Sequence, residues 1–362
     1  MQPDTLAGIP GDAWTGLLAV GRDTQLLGTL WARTVEAGVE DRLPAWAARH
    51  LWGAALTAET NAAALRWELE GLERGLLRRI SPVLVLKGGA YLLAGLPNAA
   101  GRLAGDIDLL VPRAELERAE EALLYAGWVG THPDAYDQHY YRQWMHELPP
   151  LRHRQRGTVL DLHHNILPET FAVRVDPQRI LAAAEPAPGM RGLHVPAPRH
   201  MTLHAVVHLL AETDWTRGLR DLYDIHCMLE HFDRCHGPAF WEALLDEAEA
   251  MRLAWLLEPA IECCRHRFGT RVPAAAAERL SRHAPARPFR RLGRWVLEHA
   301  LNGRVSTTPR ADALARAAVL VRGHWLKMPP RLLLRHLLHK AFLAPRADRS
   351  DRFGGAEPQQ HG

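Results

Sequence analysis

Leu84-Val85-Leu86-Lys87-Gly88-Gly89-Ala90-Tyr91 is an apolar run that stops at a basic residue and two glycines, after which a new periodic segment begins at once. It predicts a strand, a tight turn and a helix start, with backbone N–H groups free to meet an anion. Downstream, Gly105-Asp106-Ile107-Asp108-Leu109-Leu110-Val111 reads as a second strand. Side chains alternate along a strand, so Asp106 and Asp108 share one face while Ile107, Leu109 and Val111 enter the core. Two neighbouring carboxylates opposite a glycine-lined helix start suit a divalent metal that carries nucleotide phosphates. Each piece alone is weak, since Gly-Gly marks many turns and Asp-x-Asp many loops. Buried unpaired carboxylates, however, cost on the order of several kcal/mol, which a cation would remove.

A third stretch, Thr158-Val159-Leu160-Asp161-Leu162-His163-His164, favours a strand and puts Val159, Asp161 and His163 on one face. With Lys87-Gly88-Gly89, Asp106/Asp108 and Asp161 in this order, the chain resembles the nucleotidyltransferase superfamily of the DNA polymerase β-like fold. Within it, the chain looks most like an uncharacterised bacterial nucleotidyltransferase-like family, and is also similar to abortive-infection toxin nucleotidyltransferases. The motifs cover residues 83–168. The resemblance implies an α+β fold, a small mixed sheet flanked by helical N- and C-terminal regions. It also implies transfer of a nucleoside monophosphate from an NTP to an acceptor (protein, RNA or small molecule) with release of pyrophosphate. Two Mg²⁺ ions, or Mn²⁺ in their place, would be held by Asp106, Asp108 and Asp161, with Asp161 also able to act as base. Gly88 and Gly89 would admit the phosphates and Lys87 would neutralise developing charge. His163, on the Asp161 face, would support the carboxylates. Gly89 departs from the commonest pattern, which has a serine hydroxyl there. A scaffold of the same fold without catalysis is the alternative, as is a toxin-like enzyme that modifies tRNA.

The 362 residues are 47% hydrophobic and 23% charged, enough to build a sizeable core in one large or two to three small domains. No apolar run approaches the roughly 18–20 residues that span a membrane, and Met1-Gln2-Pro3-Asp4 lacks the regions of a secretory signal. Cys227, Cys235, Cys263 and Cys264 form neither a disulfide framework nor a zinc spacing. A cytoplasmic protein is expected. The formal net charge of +3 is unevenly spread: residues 279–352 hold 17 Lys/Arg against 4 Asp/Glu. Such a segment could contact RNA or an acidic surface. Lysine occurs only at 87, 327 and 340, and a compact ammonium beside Gly-Gly suits a phosphate contact.

Residues 1–80 read as a helical region, with Leu65, Leu69, Leu72 and Leu76 at helical spacing, ended by Ser81-Pro82. The α/β core spans 81–170, a proline-rich connection 171–199, a helical region 200–345 and a flexible tail 346–362. The order within the core is strand–helix–strand–helix–strand–strand–strand. His139, Arg142 and His146 are candidate substrate contacts, though polar residues exposed to solvent would read the same way. His204 and His208 lie at i, i+4 as in a zinc helix, but without the accompanying glutamate they read as packing residues. Arg217, Arg220, Asp221 and Asp224 share a helical flank, either as a solvated ion-pair face or, as the resemblance implies, with Arg220 on the triphosphate and Asp224 on the base. Leu334, Leu337, Leu338, Ala341 and Phe342 form an apolar helical stripe with a basic outer face.

Overall fold

A mixed sheet organises the described residues, which in this computed structural model are 5–6, 8–76, 80–131, 141–142, 144–302 and 308–327. Its strands are β1 (Val83–Val85), β2 (Ile107–Leu110), β3 (Trp128–Gly130), β4 (Leu151–His153), β5 (Val159–His163), β6 (Glu185–Pro186) and β7 (Leu193–Val195). The spatial order is β3-β4-β5-β2-β1-β7-β6. β2 lies in the middle, parallel to β5 and antiparallel to β1. That position explains why all four of its residues are buried, as the apolar run Val83 to Leu86 and the apolar residues flanking Asp108 require.

Three helices precede the sheet: α1 (Gly11–Asp23), α2 (Leu27–Glu36) and α3 (Ala45–Leu76). The Ala, Leu, Glu and Arg of α3 lose little side-chain freedom in a helix, and Leu65, Leu69 and Leu72 bury on one stripe. Trp14, Leu18, Leu27, Leu43, Ala47 and Leu51 make a separate apolar cluster at the N-terminal end. Within the sheet region, α4 (Lys87–Leu93) follows β1 and α5 (Leu116–Tyr125) follows β2. Gly127 ends α5 at a positive φ of 92°, the backbone form glycine adopts most cheaply.

The proline-rich stretch read as a connection is structured. It contains α6 (Gln178–Ala182), β6 and β7, and β7 pairs in parallel with β1, Val83 opposite Leu193. The sheet therefore extends past residue 170. Its prolines occupy places that need no N–H: Pro177 caps α6, Pro186 lies on the outermost strand and Pro198 opens the next helix.

Then come α7 (Pro198–Ala211), α8 (Gly218–His236), α9 (Pro238–Ala250), α10 (Ala254–Phe268), α11 (Ala274–Ser281), α12 (Arg287–Ala300) and α13 (Pro309–Lys327). α7 is buried throughout except at Pro198, Arg199 and His208, as expected of a central helix. One apolar cluster joins the sheet, the end of α3 and residues of α7 to α13, so the helices from Pro198 onward pack on the sheet as part of a shared core. The stripe at 334–342 and the tail lie outside the described residues. No described helix is long and apolar enough to cross a membrane.

Candidate active site

The site is assembled by strand register. Asp108 of β2 stands directly beside Asp161 of β5, and paired positions in a parallel ladder project to the same side. His163, two residues beyond Asp161, joins them. Ligand-capable atoms of Asp108, Asp161 and His163 all lie within 4.8 Å of one another.

Asp108 is only 3% exposed. Its Oδ1 accepts from Lys87 Nζ at 2.7 Å and from His163 Nε2 at 3.0 Å. Burial alone would raise its pKa, but Lys87 and then His163 overcome that and hold it well below the carboxylate range. Lys87 is correspondingly pushed up: burial opposes its charge, and Asp108 and Asp106 outweigh burial. His163 is raised too, because the hydrogen bond to Asp108 and the charge of Glu147 exceed the cost of burying the imidazolium. The cost of burying Asp108 is thus already met by protein cations.

Asp161 has no such relief. Burial, then the charges of Asp108 and Glu147, push it up to about 7, and its Oδ1 is buried without a hydrogen-bond partner. Asp106 is raised by burial and by Asp108, against Lys87, Arg217 and Arg102. It faces a cavity of about 220 Å³ whose walls include Lys87, Gly88, Arg102, Arg217 and Arg220. The three expected carboxylates therefore act on one another, with Asp108 and Asp161 in closest association and Asp106 at the cavity side.

The two glycines have different surroundings. Gly88 lines the cavity, and a Cβ there would run into the Arg102 guanidinium. Gly89 is buried, and its Cβ would sit 2.6 Å from Val85 Cγ1. The position where many similar chains carry serine faces β1 here, so the missing hydroxyl is not a gap in the cleft.

Arg220 and Asp224 also reach this cavity, and neither belongs to a solvated face: they are 6% and 3% exposed. Both are already bonded within the protein. Arg220 donates to Asp221 Oδ1 at 2.9 Å and to Gln25 Oε1 at 2.7 Å. Asp224 accepts from Arg102 Nε at 2.9 Å and from Asn98 Nδ2 at 3.2 Å, and so holds Arg102 in the wall. Burial raises its pKa despite these partners.

Of the other candidates, His146 comes to the site, its ring 5.4 Å from that of His163. Arg142 pairs with Glu120 on the exterior, and His139 lies outside the described residues. His204 and His208 pack near Lys87; burial first, and Lys87 next, keep both low, His208 at about 4. Glu147 and Arg102 escaped the reading of the sequence. Glu147 follows His146 in an irregular segment, and Arg102 sits in a loop with no motif around it.

No curated protein and no solved structure matches the chain. A family model described as an uncharacterised nucleotidyltransferase matches residues 10–269, and with that span the chain belongs to this nucleotidyltransferase family.

Proposed function

We propose that the chain moves a nucleoside monophosphate from an NTP to an acceptor, in a polymerase β-like site that uses divalent metal. The observation that carries this reading is the in-register pair Asp108–Asp161 beside Asp106, with an orphaned buried Asp161 oxygen. These residues fit a metal: carboxylate oxygens suit Mg²⁺, or Mn²⁺, and a cation would relieve the crowded negative charge on Asp161. Asp106, Asp108 and Asp161 would hold the ions, which when bound would offset triphosphate charge and make the acceptor oxygen more nucleophilic.

The chain's own groups account for the rest. The acceptor oxygen bonds to the α-phosphorus as the bond to pyrophosphate breaks, and its proton passes to Asp161, whose Oδ1 has no hydrogen-bond partner in the protein. Lys87, protonated throughout the physiological range, supports charge at the cavity wall. Gly88, on the cavity, leaves room for the Arg102 guanidinium, which Asp224 fixes there as a candidate phosphate contact.

The test is incubation with each α-labelled NTP, Mg²⁺ and fractionated lysate. We expect label to enter one fraction (RNA, protein or small molecule) with release of pyrophosphate. Asp106→Asn should abolish transfer with the thermal melt intact, and Asp108→Asn should abolish it with a lowered melt, because buried Lys87 loses its counter-charge. Near-wild-type activity in either would refute the assignment. A second reading, nucleotide binding without catalysis, is favoured by the Lys87–Asp108–His163 pairing, which already neutralises one carboxylate; NTP binding with no pyrophosphate released would establish it. An RNA acceptor is favoured by the exposed Arg287 and Arg291 of α12, within the basic segment 279–352.

A further inference from the structure

We propose that His146, Glu147 and His163 form a binding site for one transition-metal ion of the zinc class, separate from the oxygen donors of Asp106 and Asp161. His163 Nε2 lies 3.0 Å from Asp108 Oδ1. An ionised carboxylate only accepts, so Nε2 carries a proton, which leaves Nδ1 as the ring atom a metal ion can take once its own proton is displaced. Nδ1 is 3.2 Å from Glu147 Oε2. The ring is 2% exposed, and its Nδ1 makes no hydrogen bond. A buried ring nitrogen this close to a carboxylate oxygen has a cation between them, a proton or a metal ion that replaces it.

His146 brings a second imidazole, its Nε2 3.8 Å from the same Glu147 oxygen. One ligand atom from each of the three residues lies within 4.8 Å of the others. The arrangement is fixed by backbone. Glu147 forms an antiparallel bridge with His163, Leu148 N donates to Leu162 O at 2.9 Å, and His146 O accepts from His164 N at 2.9 Å. Two imidazole nitrogens and one carboxylate oxygen prefer Zn²⁺, Co²⁺ or Fe²⁺ over Mg²⁺. Asp108 behind His163 supplies the carboxylate that commonly orients a metal-bound histidine. The proposal does not depend on nucleotidyl transfer.

The full-length chain, stripped with chelator, is titrated with Zn²⁺ and with Co²⁺ alone. We expect one retained equivalent by elemental analysis, visible Co²⁺ bands, and no displacement by a large excess of Mg²⁺. His146→Ala and Glu147→Gln should each weaken binding roughly a hundredfold or more, and Asp108→Asn about 10- to 100-fold. Melts in EDTA identify any variant that misfolds, and Glu147→Gln preserves shape if His146→Ala does not. Asp106→Asn should retain the ion even though it stops nucleotide chemistry, which separates failure of this site from failure of the transferase reading. No stoichiometric ion in the wild type, displacement by Mg²⁺, or unchanged affinity in Glu147→Gln would each overturn it.

Discussion

Lys87 has a φ of 45°, a left-handed backbone that costs a non-glycine residue about 1–2 kcal/mol. Its ammonium is held by Asp108 Oδ1, which offsets that cost. Lys87→Met keeps the stem and removes the charge, leaving buried Asp108 to His163 alone. We expect a loss of about 2–4 kcal/mol at pH 7 by urea titration, near the lower end for breaking a buried pair. Because Asp108 is held low, its contribution is complete above the unfolded carboxylate pKa and fades as pH falls toward its folded value. The gap between wild type and variant should narrow in acid. Asp161 has the opposite sign. With its folded pKa raised to about 7, stability is intact below the unfolded value near 4 and is lost as pH rises through 7. In chelator, Asp161→Asn should therefore match wild type at pH 4 and exceed it at pH 8 by a few kcal/mol, on the scale of about 1.4 per pKa unit. Equal melts at pH 8 would show that Asp161 is not electrostatically stressed.

The turn between β1 and α4 depends on close approach. Gly89 backs onto Val85, so Gly89→Ala should cost about 1–3 kcal/mol through overpacking, read as a lowered denaturation midpoint with unchanged slope. The run of elements from β1 to β5 was legible in the sequence because each has the length and period to declare itself: Val83–Leu86, the strand around Ile107, the amphipathic helix that becomes α5. Alternation also set Asp161 with His163, and the register of β2 on β5 brings both beside Asp108. β7 was not legible: three residues between prolines are too few to show alternation, and only β1 makes them a strand. Nor was the role of Asp224, because the spacing that set it on a flank with Arg220 says nothing about Arg102 and Asn98, which reach it from a distant loop. Glu147 has no periodic neighbours at all, and its place comes solely from the bridge to His163.

At the level of the whole molecule, the proposed transfer makes the charge around the cavity the control on NTP entry. A triphosphate of about four negative charges would approach Asp106 and Asp161 with Lys87 already engaged by Asp108, and repulsion at close range is substantial. NTP binding should be weak in EDTA and at least tenfold stronger with Mg²⁺ by calorimetry; equal affinities would sink the metal-bridged entry. The parallel pairing of β2 with β5, and of β1 with β7, also bears on synthesis. Lys87 and Asp108 have emerged by Leu110, but Asp161 and His163 follow only with β5, and β7 is complete only at Val195. Distant parallel pairings form late, because loop closure precedes any reward from contact. A growing chain halted before Val159 holds a core-bound carboxylate with one of its two cationic partners, and lacks the third acid altogether. The Asp108–Asp161 pair and its His163 neighbour are therefore complete only when the sheet has closed.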